Sequence, residues 1–221
     1  MTEIKKNKKP WPTRQAMQQI YELNLWGDNG GSFYSGAGSH SLHIVKPYMN
    51  SVSSFLKSLD KPIDICDLGC GDFNIGKELS HLCKSYTAID IVPELIEHNK
   101  KQFKASNVSF QCLDIAKDQL PHADGVILRQ VLQHLSNHEI AQIVKKLYAY
   151  NYIILTEHVP SGDFVPNLDI ISGQGIRIKK NSGVNLLAAP FHLKIKSHTL
   201  LAQTQLQNNK GVITTVLYEM N

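Results

Sequence analysis

Acids and glycines crowd one short stretch of this chain, Asp64-Ile-Cys-Asp67-Leu-Gly69-Cys70-Gly71-Asp72-Phe-Asn74-Ile-Gly76. An apolar run passes into glycines and then into a helix start. Glycines at such a point let the backbone turn sharply and approach a ligand with no Cβ in the way. The spacing departs from the dinucleotide pattern Gly-x-Gly-x-x-Gly, because Asn74 stands at the third glycine. Nineteen positions after Gly71 comes Asp90, followed by Ile91. An acid about 20 residues beyond a glycine turn is placed to hold a ribose diol, and a carboxylate accepts from both hydroxyls in charge-assisted bonds. The plain alternative is a helix-start acid stabilised by the macrodipole. A third acid, Asp114, ends Gln111-Cys-Leu-Asp114, as a ligand contact or as a loop cap.

The elements around these residues alternate. Apolar runs at 63–68, 86–91, 108–113, 125–128 and 152–156 read as strands. Between them, 75–82, 93–103 and 137–147 have helical spacing, with Pro93 suited to a first helical position. Such alternation predicts a parallel sheet of βαβ units. At the C-terminal end, 199–206 and 212–218 read as strands joined by a short polar linker with Asn and Gly, which predicts an antiparallel hairpin. Acids and glycines ending the first three strands would then share one edge, where ligands of open parallel sheets lie.

At these residues the chain resembles the class I S-adenosylmethionine-dependent methyltransferases. Asp67-Leu-Gly-Cys-Gly71 is similar to their first motif, Asp90 to the second-strand acid that holds the ribose, and Asp114 to the third-strand acid near the adenine amino group, with Ile115 beside the ring. Leu128-Arg-Gln-Val-Leu-Gln-His134-Leu resembles their fourth-strand segment, and the closing hairpin their antiparallel seventh strand. The resemblance covers roughly residues 60–157 and 198–221. It implies an α/β fold: a Rossmann-like, mostly parallel seven-stranded sheet with helices on both faces and a C-terminal antiparallel hairpin. It implies S-adenosyl-L-methionine as cofactor, held by Asp67, Gly69, Cys70, Gly71, Asn74, Asp90, Ile91, Asp114 and Ile115. The Asn-Pro-Pro-aromatic tetrad of DNA amino-methyltransferases is missing from the fourth strand, which lowers the chance of a nucleobase amine as acceptor.

The first 59 residues read as a helical and glycine-rich lid segment preceding a domain at 60–221, itself interrupted by an insertion at about 157–198. A helix is expected at 13–25, with Thr13 as its N-cap, and another at 43–59, with Pro47 in its first turn. Between them, residues 26–39 hold five glycines in fourteen positions and must form a loop. The segment Ser35-Gly36-Ala-Gly-Ser39 resembles one found ahead of the first strand in some small bacterial methyltransferases. Trp26, Ser35, Gly36 and Ser39 are therefore expected over the cofactor, with Arg129 beside its carboxylate or an anionic acceptor. Trp26 could equally pack the segment on the sheet.

Methyl transfer from a sulfonium is a displacement at an activated carbon, so alignment and water exclusion matter most. A general base is needed only for a protonated acceptor. His134 is the candidate acid/base, with a helix-start or interface histidine as the plain alternative. Tyr34, Glu157, Asn167, Asp169 and Arg177 are the candidates for the acceptor pocket, and Phe164 and Phe191 could line it. A small-molecule acceptor is the leading expectation. A catalytically silent cofactor-binding protein and, less so, a nicotinamide-dependent oxidoreductase stay open.

Composition narrows the partners. The chain has 221 residues, 42% hydrophobic content and a formal charge of +4, with four lysines among the first nine residues. That basic tail reads as a solvated end, and the body without it is too near neutral for a nucleic-acid platform. No apolar run approaches the ~20 residues needed to span a bilayer, and no signal peptide is visible, so a cytoplasmic protein is expected. Cys66, Cys70, Cys83 and Cys112 lack zinc spacing and read as reduced and structural. No metal is expected, and the oligomeric state is open.

Overall fold

The computed structural model describes residues 11–28, 30, 33–207 and 211–221. The basic tail and part of the hairpin linker lie outside the described residues. The helices are α1 (Thr13–Glu22), α2 (Ala37–His40), α3 (Leu42–Ser58), α4 (Gly76–Leu79), α5 (Pro93–Gln102) and α6 (Asn137–Leu147). The strands are β1 (Asp64–Leu68), β2 (Ser85–Asp90), β3 (Val108–Cys112), β4 (Gly125–Arg129), β5 (Tyr152–Val159), β6 (Val165–Pro166), β7 (Ser182–Gly183), β8 (Ser197–Gln205) and β9 (Val212–Glu219). Among the described residues no helix is long and apolar enough to cross a membrane.

Seven strands form one sheet in the order β3-β2-β1-β4-β5-β9-β8. The first five run parallel, and β9 lies antiparallel between β5 and β8. Both faces are covered, so strand residues alternate between two cores. Cys66, Leu68, Val126, Leu128, Ile153 and Leu155 pack with α1 and α6. Ile65, Ile127 and Ile154 pack on the opposite side with α3 and α4. The buried residues of α6 recur at i, i+3, i+4 and i+7 (Ile140, Ile143, Val144, Leu147), and those of α3 every fourth residue (Tyr48, Val52, Leu56).

The expected elements are present, with local corrections. Thr13 is the first residue of α1 rather than its cap. Its hydroxyl donates instead to Glu139 Oε1 of α6, joining two elements distant in sequence. Pro47 lies in the second turn of α3, because that helix begins at Leu42. The expected helix at 75–82 is one α-helical turn followed by a 3-10 turn at Ser80–Leu82. Only α1, the loop after it and α2 lie toward the cavity described below. The long helix α3 packs under the sheet beside β8, so the first 59 residues serve two different places in the fold.

The α6 start is defined by a reciprocal cap. Ser136 Oγ accepts from Glu139 N–H while the Ser136 N–H donates to the Glu139 carboxylate. Ser136→Ala should therefore cost about 1 kcal/mol, seen as a fall of about 2–4 °C in melting temperature for a chain of this size. An unchanged melt would show that α6 needs no cap.

Candidate cofactor site

The sheet edge where β1 to β4 end carries a cavity of about 570 Å³, within the range of small-molecule sites. Its floor begins with two residues in the left-handed region, Gly69 (φ 91°) and Gly71 (φ 56°). A Cβ on Gly69 would stand 2.4 Å from Val131, and one on Gly71 2.4 Å from Ser35 Oγ. Side chains are excluded there by backbone geometry and by space together. The N–H groups of Gly69 and Cys70 both donate to Ile89 O at 2.8 Å, tying the turn to β2.

Asp90 completes that turn. Its Oδ2 accepts the Gly71 N–H at 3.1 Å and its Oδ1 accepts the Val92 N–H at 3.1 Å. Asn99, fully buried, donates to Gly71 O at 2.8 Å. Burial raises the Asp90 pKa, while the N–H donors of Val92 and Gly71 oppose that rise. Asp114 lines the cavity one strand further on. Its Oδ1 accepts from Ala116 N–H and its Oδ2 pairs with Lys117 at 2.8 Å. Ile91 and Ile115 lie beside these acids in the cavity wall.

The cavity is covered by the segment before α3. Ser35 and Asp72 bond reciprocally, Ser35 N–H to Asp72 Oδ2 and Asp72 N–H to Ser35 Oγ, each at 2.8 Å. His40 Nε2 donates to the same Asp72 Oδ2 at 2.6 Å. Trp26, Ser35, Gly36 and Ser39 all line the cavity, as a lid requires. Asp72 and Tyr21, whose hydroxyl lies 3.0 Å from Ser35 Oγ, are not among the residues expected from sequence. Asp72 stands in the glycine motif as an acid with no assigned partner.

Two residues expected at the cofactor do not reach the cavity. Asp67 shares strand parity with Ile65, so its side chain enters the core and accepts from Tyr86 OH at 2.9 Å; burial pushes its pKa up to about 7. Asn74 donates to Ser39 O at 2.7 Å and fastens the lid. Arg129 lines the cavity but is turned toward the lid, donating to Gly38 O and to Ser39 Oγ, with Tyr48 against its guanidinium at 4.7 Å.

The five residues expected to form the acceptor pocket are also outside the cavity lining. Tyr34 stacks on His40 at 4.5 Å. Glu157 accepts the N–H groups of Leu132 and Gln133 at 3.0 and 2.9 Å; burial raises its pKa to about 8 against those two donors and Arg177. Arg177, 1% exposed, donates to the carbonyls of Leu132, Gln133 and Leu135. Asn167 bonds to the backbone of Asn185 and Ala189, and Asp169 accepts the Asn137 N–H at 2.7 Å. Asn167 thus satisfies backbone within the insertion, while Glu157, Arg177 and Asp169 satisfy backbone of the turn after β4 and the start of α6. Phe191 is buried in the core, and Phe164 packs near residue 183.

The clamped turn after β4 carries Gln130, Gln133 and His134, all facing the cavity. Gln133 Oε1 accepts the His158 N–H, so its Nε2 is the donor to His134 Nε2 at 3.2 Å. His134 Nδ1–H then donates to Gly173 O at 3.1 Å. Both ring nitrogens are engaged, Trp26 lies 5.2 Å away, and burial lowers the pKa to about 4. His134 is a neutral bridge between the insertion and the lid, which is a poor position for a base.

That neutrality has a cost in acid. An unfolded histidine takes a proton near 6.5, whereas the folded state resists it until about 4. Stability from His134 is present in full above about 6.5 and is lost as pH falls toward 4, by on the order of 3 kcal/mol. Denaturant titrations between these limits should show a shallower pH slope for His134→Gln than for the wild type. Identical slopes would mean that His134 does not carry this acid sensitivity.

Comparison with known proteins agrees with this geometry. Residues 65–150 match the model of a family described as a methyltransferase domain. The chain is 43% identical over 60 residues to the malonyl-[acyl-carrier protein] O-methyltransferase of Acetivibrio thermocellus, covering 26% of this chain and 21% of that protein. It is 31% identical over 114 residues to the Bacillus cereus protein of the same name, covering 49% and 42%. The matches thus span less than half the length of these curated relatives. Among solved structures, the NodS N-methyltransferase of Bradyrhizobium japonicum with S-adenosyl-L-homocysteine superposes with a TM-score of 0.66 at 14% identity, covering 93% of this chain and 98% of that one. Human N-acetylserotonin methyltransferase with S-adenosylmethionine gives 0.59 at 20% identity, covering 96% and 60%. At such identities these structures bear on the fold alone. The domain match over residues 65–150, the strand order and the glycine-and-acid edge all agree with a resemblance to the class I S-adenosylmethionine-dependent methyltransferases.

Proposed function

We propose that the protein transfers a methyl group from S-adenosyl-L-methionine to a small-molecule acceptor by direct displacement. The observation that carries this reading is the joining of two walls in one cavity: the edge with Gly69, Gly71, Asp90 and Asp114, and the lid with Trp26 and residues 35–39. A lid over the edge suits a compact acceptor better than a nucleic acid, which needs an open basic groove. When bound, the cofactor supplies an electrophilic methyl on sulfur.

The chain's own residues hold and enclose it. Asp90 offers its remaining lone pairs to the ribose hydroxyls, and Asp114 with Ile115 receives the adenine. The lid, pinned through Asp72, excludes water, and His134 positions Trp26 against the insertion. We assign no proton transfer to His134. The lining cysteine, Cys70, has its thiol pKa raised well above the usual range by burial and stays protonated, which removes it as a nucleophile at neutral pH. Neither His134 nor Cys70 is therefore assigned as a base.

Calorimetry tests the cofactor assignment. S-adenosyl-L-homocysteine should bind and nicotinamide dinucleotides should not. Asp90→Ala removes a charged acceptor, so affinity should fall at least about tenfold; unchanged affinity in a folded variant would refute the role of Asp90. Tritium from labelled cofactor, offered with cell extract, should enter the small-molecule fraction. Label confined to protein or nucleic acid would overturn the acceptor class.

A further inference from the structure

The insertion after β5 adds one stretch to the cavity wall: Gln174, Gly175 and Ile176, and then Lys179. Lys179 sits in a 3-10 turn, Arg177–Lys180, whose other cations are committed. Arg177, 1% exposed, reaches from Leu168 O to the carbonyls of the turn after β4. Lys180 Nζ donates to Asp169 O at 2.9 Å, and the Asn181 N–H closes the turn on Ile178 O. The backbone under Lys179 is therefore fixed. Its own ammonium is exposed and makes no hydrogen bond or ion pair among the described residues.

The acids of the cavity do not claim it. Asp90 takes two backbone N–H groups, and Asp114 takes the Ala116 N–H and Lys117. Glu139, the third lining acid, accepts from the hydroxyls of Thr13, Ser136 and Ser172. The second lining cation, Arg129, donates to the lid. Among the described residues, Lys179 is thus the charged group of the lining that no other side chain or carbonyl engages.

The wall beside it has room and spare donors. A Cβ on Gly175 would meet nothing within 4 Å. The N–H groups of Gly175 and Ile176 donate to no acceptor among the described residues. An ammonium, free amides and open space side by side suit an anion, whose oxygens accept from both kinds of donor. Place decides which ligand carries that anion. The cofactor is read onto the glycine turn and the acids ending β2 and β3, whereas Lys179 belongs to the insertion after β5.

We propose that the methyl acceptor is a small molecule of net negative charge, bearing a carboxylate or a phosphate. Lys179, with the neighbouring backbone amides, holds that anionic group at the insertion wall. The proposal rests on the methyl-transfer reading above and deepens it, by naming the class of acceptor and a residue that selects it.

The test uses the full chain, tritiated cofactor and the small-molecule fraction of cell extract, divided on an anion exchanger at neutral pH. Label should enter the pool that the resin retains. Phosphatase treatment of that pool separates a phosphate ester, whose labelling falls, from a carboxylate, whose labelling persists. Lys179→Gln should slow transfer to the retained pool about fivefold, as for a partly screened ion pair, and Lys179→Arg should keep it. Affinity for S-adenosyl-L-homocysteine should be unchanged in both variants. Label in the unretained pool would overturn the proposal, as would equal transfer by the wild type and Lys179→Gln. A loss of S-adenosyl-L-homocysteine affinity in Lys179→Gln would also overturn it, by placing Lys179 at the cofactor. Label in neither pool would instead defeat the methyl-transfer reading itself.

Discussion

A carboxylate removed from water must find donors, and at the end of β2 it finds them in the backbone. Asp90 takes the N–H of Gly71 with one oxygen and that of Val92 with the other. That arrangement requires Gly71 to hold a left-handed turn at the end of β1, and it requires Asn99 of α5 to anchor the Gly71 carbonyl. One buried acid thus fixes the distance between β1, β2 and α5. Burial still raises its pKa, so further donors, such as two ligand hydroxyls, would stabilise the charged form. The floor of the cavity is built, but its electrostatics are left for a ligand to complete.

The opposite wall depends on a different solution to the same problem. The turn after β4 leaves the sheet with its backbone groups exposed to the interior. Glu157 accepts two of its N–H groups, and Arg177 donates to three of its carbonyls. The two charges grip the turn from both sides, one from β5 and one from the insertion. Gln130, Gln133 and His134 are presented to the cavity by a segment that could not hold its shape alone. The lid is joined to the floor by Asp72, Ser35, His40 and Asn74, so floor, lid and turn form one network around the cavity.

Much of the fold is legible in the sequence because each strand and helix carries its own periodicity. The strands, the α6 boundaries and the closing hairpin follow from apolar spacing and turn residues. Of the cavity lining, Gly69, Gly71, Asp90 and Asp114 are legible because each lies at or just after the end of a strand on the same edge. Asp67 is misplaced by its motif although its parity with Ile65 points to the core: the side chain two positions on from a core-facing residue points the same way. Glu157, Asn167, Asp169 and Arg177 suggest an acceptor pocket because they lie in a long polar insertion. Most of their partners are backbone groups from 9 to 45 positions away, and no local pattern reveals such pairings. His134 misleads for the same reason, since its neutrality comes from Gly173, Gln133 and burial.

The proposed function stands on the claim that the sheet edge and the lid, which line one cavity, hold one ligand between them. Hydrogen exchange of the wild-type chain, with and without saturating S-adenosyl-L-homocysteine, tests it most directly. Protection should rise at both places, in the glycine turn at residues 69–72 and in the lid at residues 33–40. Protection of the turn with no change in the lid would contradict it, because the ligand would then lie on an open edge and the cavity would not be the site of transfer.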